Sequence, residues 1–226
     1  MRLHRFYVKH PLGEEVLIEQ RDLVHQWSSV FRYTKGARVL LFSLTSPSYD
    51  YLYQIDEISK SSARLTFIET SQNILPGKTA RLYMALVKKD TFETIARQAT
   101  EMMITDIIPV VATRSEKKNL NFERLLAIIT EAAEQCGRGD IPVLHNVAVF
   151  TDAASNADET HVIFDKSGTE QKTNSASSVW IGPEGGWATE ELTVLQERGV
   201  KTLSLGGSTL KADTAAIVGM TQAFLL

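Results

Sequence analysis

The chain has 226 residues, 43% of them hydrophobic and 23% charged, with a formal net charge of −3. Those values suit a globular protein with a sizeable core and exclude a disordered or fibrous chain. The single cysteine, Cys136, excludes an intramolecular disulfide and a multi-cysteine zinc site, no apolar run approaches a membrane span, and the opening MRLHRFYVKHPLGEE has no apolar stretch behind its charge and does not read as a signal peptide.

A cytoplasmic protein with no membrane partner is therefore expected. The histidines show no metal-ligand spacing, so no metal is expected either. Charge is uneven along the chain: residues 1–40 hold seven Lys or Arg against four acids, and three of the five histidines. A locally basic segment of this kind points to an anionic partner such as RNA, or to chance surface charge.

In chain order, RFYV, EVLIE, RVLLF, YDYLYQID and ARLTFIE read as short strands, rich in β-branched and aromatic residues and separated by turn residues. One short helix is expected around DLVHQWSSVF, with Asp22 as its cap and Leu23, Trp27 and Val30 on one face. This set predicts a small β-barrel. The polar stretch ETSQNILPGKT marks the boundary.

Beyond it strands and helices alternate. RLYMALV and DIIPVVA are strands flanking a helix over Asp90–Met103, whose inner face is Phe92, Ile95, Ala99 and Met102. Asn121–Cys136 has the strongest helical period, with Phe122, Leu125, Ile129, Ala133 and Cys136 in line and Gly137 to end it. PVL, THVIFD and SVWIG follow as strands. A helix capped by Thr189 and closed by Gly199, the strand KTLSL, and a helix capped by Asp213 and running to Leu226 complete the chain. The alternation predicts an α/β domain: a mainly parallel sheet with helices on both faces.

Two strand ends carry the chemistry. In Trp180–Trp187, WIGPEGGW, an apolar strand runs into Gly-Pro-Glu-Gly-Gly and then a helix. Ligands of parallel α/β sheets bind at the carboxyl ends of strands, and Gly185 and Gly186 leave room for one. The loop lacks both GxGxxG and the P-loop Lys-Ser/Thr, so it does not read as a dinucleotide or triphosphate site. A second strand–glycine–helix unit, Leu203–Ala216, LSLGGSTLKADTAA, would bring another loop to the same sheet edge. Taken alone, each is an ordinary tight turn; together they point to a pocket. Met102, Met103 and Cys136 read as core, and Trp187 either as a wedge between helix and loop or as a stacking platform.

IGPEGGW followed by acidic residues, then LGxxxLKxDTA, together with EAAEQCGR at 131–138, resembles the RsmE family of small-subunit ribosomal RNA uridine methyltransferases. The likeness extends to RLHRFYV, VFRYTKGARV, Ala85–Lys88, Ala99-Thr100-Glu101, Pro109 and Arg114-Ser115, nearly the whole chain. It implies a PUA-like RNA-binding barrel over 1–72 and a knotted SPOUT-type catalytic domain over 73–226, forming a homodimer. It also implies S-adenosylmethionine as cofactor and N3 of a uridine in 16S ribosomal RNA as acceptor. The cofactor would lie against Ile181, Gly182, Pro183, Glu184, Gly185 and Gly186 of one loop, and Leu203, Leu205, Gly206, Leu210 and Thr214 of the other.

Glu184 and Asp213 are candidate bases, with Arg138 and Lys211 to steady the uridine or a phosphate; Glu184 has the alternative of bonding its own loop's amides. Arg2, Arg5, His25, Arg32, Arg38 and Lys88 are candidate RNA contacts. The chain departs from the family pattern at Ser208, Lys211 and Asp213, where arginine, arginine and glutamate are usual, and at Lys89, Thr91, Arg97 and Met103. Those departures leave open two further readings: a non-catalytic RNA-binding or ribosome-assembly protein on the same fold, and a methyltransferase for another RNA.

Overall fold

The computed structural model describes residues 3–115, 119–170, 173 and 176–225. The chain divides into two compact units, 1–75 with 133–140 and 76–132 with 141–226.

The first unit is built on one five-stranded sheet: β1 (Arg5–Tyr7), β2 (Glu15–Ile18), β3 (Arg38–Phe42), β4 (Tyr49–Ile58) and β5 (Ala63–Gln72). The spatial order is β1-β3-β4-β5-β2, with β1 parallel to β3 and the other pairs antiparallel. The expected small barrel takes the form of a half-barrel, in which β1 and β2 end the order and do not pair with each other among the described residues. Helix α1 (Arg21–His25) and the π-helical turn after it, Gln26–Val30, fill the hollow. Val24 and Trp27 bury there with Phe6, Val39, Leu41, Tyr53, Ile55 and Leu65. Asp22 is not the cap of α1; that position is Gln20, and no side chain bonds the helix start.

The segment 133–140 belongs to this unit, which the sequence boundary at 72 does not anticipate. Arg5 explains the association. Its Nε donates to both oxygens of Asp50 at 2.8 Å, Nη1 to the carbonyl of Ala133 at 3.0 Å and Nη2 to Asn73 at 3.1 Å. The Tyr7 N–H donates to the Glu134 carboxylate at 2.8 Å, and the Gly139 N–H to the Ile74 carbonyl at 2.8 Å.

The second unit holds a wholly parallel sheet. Its elements are β6 (Arg81–Ala85), α2 (Lys89–Glu101), β7 (Asp106–Val111), α3 (Phe122–Cys136, whose last turn lies in the first unit), β8 (Val143–Leu144), β9 (Ala148–Val149), α4 (Phe150–Ala154), β10 (His161–Thr169), β11 (Ser178–Ile181), α5 (Thr189–Glu197), β12 (Lys201–Leu203) and α6 (Ala212–Met220), which runs on into a π-helical turn. The order is β12-β10-β11-β6-β7-β8, with β9 also on β7.

Side-chain alternation along the strands splits the core. Leu82, Met84, Val162, Val179 and Ile181 pack with α2, α3 and α6 on one face. Tyr83, Ala85, Ile108, Ile163 and Trp180 pack with α4 and α5 on the other. After the edge strand β12 the chain turns back, and α6 lies against α2 and β11 in the middle of the sheet.

Two expected caps are corrected. The N-cap of α5 is Ala188, not Thr189, and the Glu191 carboxylate reaches back to the Ala188 N–H at 2.8 Å. The N-cap of α6 is Lys211; Asp213 sits in the first turn and accepts the Thr214 N–H at 2.8 Å.

Candidate functional site

Strands β11 and β12 end level, on either side of the point where β10 begins its bulge. Phe164 of β10 is in register with Ile181 of β11 on one side and Leu203 of β12 on the other, so the loops that follow them emerge side by side. They enclose a cavity of about 520 Å³, a volume usual for a small-molecule site. Its apolar wall is Ile181, Leu205, Leu210, Ala212 and Ala215; its polar side carries Arg114, Asp165, Lys166, Ser167 and Glu184.

The first loop, after β11, closes through a backbone bond from the Gly186 N–H to the Pro183 carbonyl at 2.8 Å. Gly186 has φ +69°, a conformation that favours glycine. Gly182 and Gly185 are constrained by neighbours. A Cβ at Gly182 would lie 3.0 Å from Nε1 of Trp187, and one at Gly185 would lie 3.2 Å from Cβ of Arg114. Trp187 is buried against Trp180 and Phe150, so it is the wedge and not a stacking platform. The Arg114 Nη1 donates to the Gly185 carbonyl at 3.0 Å. Glu191 accepts the Thr113 N–H at 2.8 Å as well as the Ala188 N–H, tying the loop after β7 to the start of α5.

The second loop, after β12, turns at Gly206, φ +107°, where the Ser204 hydroxyl accepts the Gly206 N–H at 3.2 Å. The third was not foreseen. Residues 165–168 bulge out of the β10–β12 ladder, whose pairing jumps from Phe164 to Thr169. Asp165 Oδ1 fixes the bulge by accepting the Ser167 N–H at 2.9 Å and its hydroxyl at 2.7 Å, and Lys166 Nζ donates to Thr209 on the second loop. The rule that found the other two loops applies equally to the polar residues after THVIF. Arg114 carries no such local signal; only the fold brings it to the rim.

Of the residues expected at a cofactor, Ile181, Gly182, Pro183, Glu184, Gly185, Gly186, Leu205, Gly206 and Leu210 line the cavity. Leu203 and Thr214 do not: Leu203 is buried in the core beneath the loop, and Thr214 faces outward from α6. Among the candidate catalytic residues only Glu184 lies at the cavity, exposed, with no loop amide bonded to its carboxylate. Lys211 is exposed and Asp213 half-buried just beyond the lining. Arg138 belongs to the first unit, fully buried, with its guanidinium on both oxygens of Asp140 at 2.9 and 2.8 Å.

Among the candidate RNA contacts, Arg5 is corrected to a structural residue, since Nε, Nη1 and Nη2 all bond within its own unit. His25, Arg32 and Arg38 are exposed on the first unit and Lys88 on the second; Arg2 lies outside the described residues. No helix among the described residues is long and apolar enough to cross a membrane.

Comparison with known proteins places this architecture. The family model for the RNA methyltransferase domain matches residues 75–223. The ribosomal RNA small subunit methyltransferase E of Rickettsia conorii is 28% identical, over 100% of this chain and 97% of its own length. The Aquifex aeolicus protein of the same name is 26% identical, over 95% of this chain and 96% of its own. Among solved structures, a methyltransferase of Legionella pneumophila with bound S-adenosylmethionine has a TM-score of 0.88 at 23% identity, covering 98% of this chain and 96% of that one. The Neisseria gonorrhoeae small subunit methyltransferase E, also bound to that molecule, has a TM-score of 0.86 at 19% identity, covering 97% and 96%. The α/β fold, parallel sheet and preceding half-barrel are those of these proteins. The chain thus belongs to the RNA methyltransferase domain family and, within it, to the RsmE family.

Proposed function

We propose that the protein transfers the methyl group of S-adenosylmethionine to N3 of a uridine in the 16S ribosomal RNA of the small subunit. The observation that carries this reading is the cavity enclosed by the β10 bulge and the loops after β11 and β12, in a fold whose solved relatives hold that cofactor. The residues present fit the molecule: Ile181, Leu205, Leu210, Ala212 and Ala215 form an apolar wall suited to adenine, and the charged side suits the ribose and amino-acid portions. When bound, the cofactor supplies an electrophilic methyl on a sulfonium.

The protein's part is positioning and proton handling. Uridine N3 carries a proton that must leave before nitrogen can attack. In this reading Glu184, exposed at the rim with no partner for its carboxylate among the described residues, accepts it. Arg114 uses one nitrogen on the Gly185 carbonyl, and its remaining donors can steady the anionic base or a phosphate. The exposed His25, Arg32 and Arg38 of the half-barrel serve RNA phosphates in this reading. A cytoplasmic location completes it, since the substrate is a ribosomal RNA, together with the homodimer that the family resemblance implies.

The test is to incubate the protein with methyl-labelled cofactor and small subunits lacking native methylation, then map the label. A single labelled uridine N3 in 16S RNA is expected. Label on another position or only on transfer RNA overturns the substrate assignment, and cofactor binding without transfer to any RNA overturns the activity.

A further inference from the structure

Asp165 is the one carboxylate in the cavity wall whose two oxygens do different jobs. Oδ1 is committed to the bulge, accepting both the backbone N–H and the hydroxyl of Ser167. Oδ2 accepts nothing among the described residues. It looks toward the first loop, where a Cβ built on Gly186 would sit 3.9 Å from it. Because Gly186 has no side chain, the space in front of Oδ2 stays open, and the half-buried carboxylate faces it with unfilled lone pairs. An ionised carboxylate is an acceptor only, so whatever occupies that space must donate.

Resting on the reading of this cavity as the S-adenosylmethionine site, we propose that Asp165 Oδ2 accepts the vicinal hydroxyls of the cofactor's ribose and so positions the nucleoside. That cofactor has three donor groups. The adenine amine belongs to a flat ring, whose complement is the apolar wall of Ile181, Leu205, Leu210, Ala212 and Ala215. The ammonium is a cation, and the neighbouring Lys166, held in the same bulge by Thr209, opposes a second positive charge there. The ribose diol is neutral and offers two adjacent donors, which a single free carboxylate oxygen, with the Ser167 hydroxyl beside it, can satisfy. The loop therefore acts as a rigid bracket: one oxygen holds the bulge in shape so that the other is fixed in the pocket.

The test is a cycle of two changes read by calorimetry. Asp165→Asn keeps an oxygen for Ser167 and puts an amide, a donor, where Oδ2 stood. The ligands are S-adenosylhomocysteine and its 2′,3′-dideoxyribose analogue. Wild type should lose about 10- to 100-fold in affinity on removal of the diol, the range for hydrogen bonds to a charged group. The Asn variant should lose a similar factor for S-adenosylhomocysteine and little more for the analogue, because the two changes remove one interaction.

Losses that simply multiply, or an Asn variant that binds S-adenosylhomocysteine like wild type, overturn the assignment. Adenosine, which has the diol and no ammonium, should also bind the variant more weakly; if it does not, Oδ2 serves the amino group and the proposal is wrong. Ser167→Ala leaves Oδ2 in place and should cost less than Asp165→Asn; the reverse order would make Asp165 a loop support only. Failure of wild type to bind S-adenosylhomocysteine at all would remove the cofactor reading, a result separable from loss of coupling.

Discussion

At the scale of single residues, glycine and arginine have more than one use, and only coordinates separate them. Gly185 and Gly186 of GPEGG read as space for a ligand, whereas Gly182 is bare because the Trp187 indole lies against it. Gly182→Ala should therefore act on packing. A Cβ 3.0 Å from a buried ring forces a shift costing about 1–3 kcal/mol, read as a lower urea midpoint; an unchanged midpoint would show that the indole has room to move.

The arginines divide in the same way. Arg5 lies over the Phe42 ring and pairs with Asp50, both side chains nearly buried. Arg5→Met should cost about 3–5 kcal/mol, since it strands a buried carboxylate, while leaving the salt dependence of RNA binding unchanged. Arg32→Gln with Arg38→Gln should do the reverse: stability within about 0.5 kcal/mol, and a log–log salt slope flatter by roughly 0.7–0.9 per lost phosphate contact. If the Arg5 variant alone flattens the slope, the assignment of roles between these arginines is inverted.

At the scale of elements, the central strands β6, β7 and β11 of the parallel sheet were legible because they are buried on both faces and read as continuous apolar runs, as SVWI does. The two-residue strands β8 and β9 and the five-residue α4 are too short to set a period; PVL sufficed for β8, but nothing in NVAVFTDAA announced the other two. The bulge at 165–168 escaped for another reason: four polar or small residues after a strand look like any turn, and only the adjacent β12 gives them a wall to form.

Pairing of β10 with β11 has a consequence for pH. His161 is buried beneath Trp180, whose Nε1–H donates to its Nδ1 at 3.1 Å, and burial holds the imidazole pKa below its ordinary 6.5. The folded state thus binds this proton less readily than the unfolded chain. The contribution is fully present above about pH 6.5 and is lost as pH falls through the lowered value. Asp158 and Glu93, both held below the ordinary carboxylate range by hydrogen bonds, from Thr160 and Arg124 respectively, act only at lower pH. Melting temperature should therefore decline as pH falls below about 6.5, and His161→Asn should flatten that decline at some cost in stability. An equal decline in the variant would place the titration elsewhere.

At the scale of the whole molecule, sequence located the change of composition near residues 69–79 and the structure divides the chain close by, but 133–140 could not have been assigned that way. EAAEQCGR ends an unbroken helical period, and periodicity carries no information about which core the end of a helix joins. What joins it is specific: the Ala133 carbonyl and Glu134 carboxylate receive donors from β1, and Gly139 fits under the turn before β4.

Gly139 gives the sharpest test of this discontinuous unit. Its φ is not the left-handed kind, so alanine is conformationally tolerable there, but a Cβ would fall 2.1 Å from the Pro47 carbonyl oxygen and 2.7 Å from the Asn73 side chain. The first is backbone and cannot rotate away. Gly139→Ala should destabilise by about 3 kcal/mol or more, and the loss should be local to the first unit. Hydrogen exchange on the full chain should show faster exchange across β1, β3, β4 and β5, while β6, β10 and β11 keep their protection. Uniform loss throughout would mean that the two units unfold as one cooperative body, and unchanged protection in β1–β5 would mean that 133–140 is not a working part of the half-barrel.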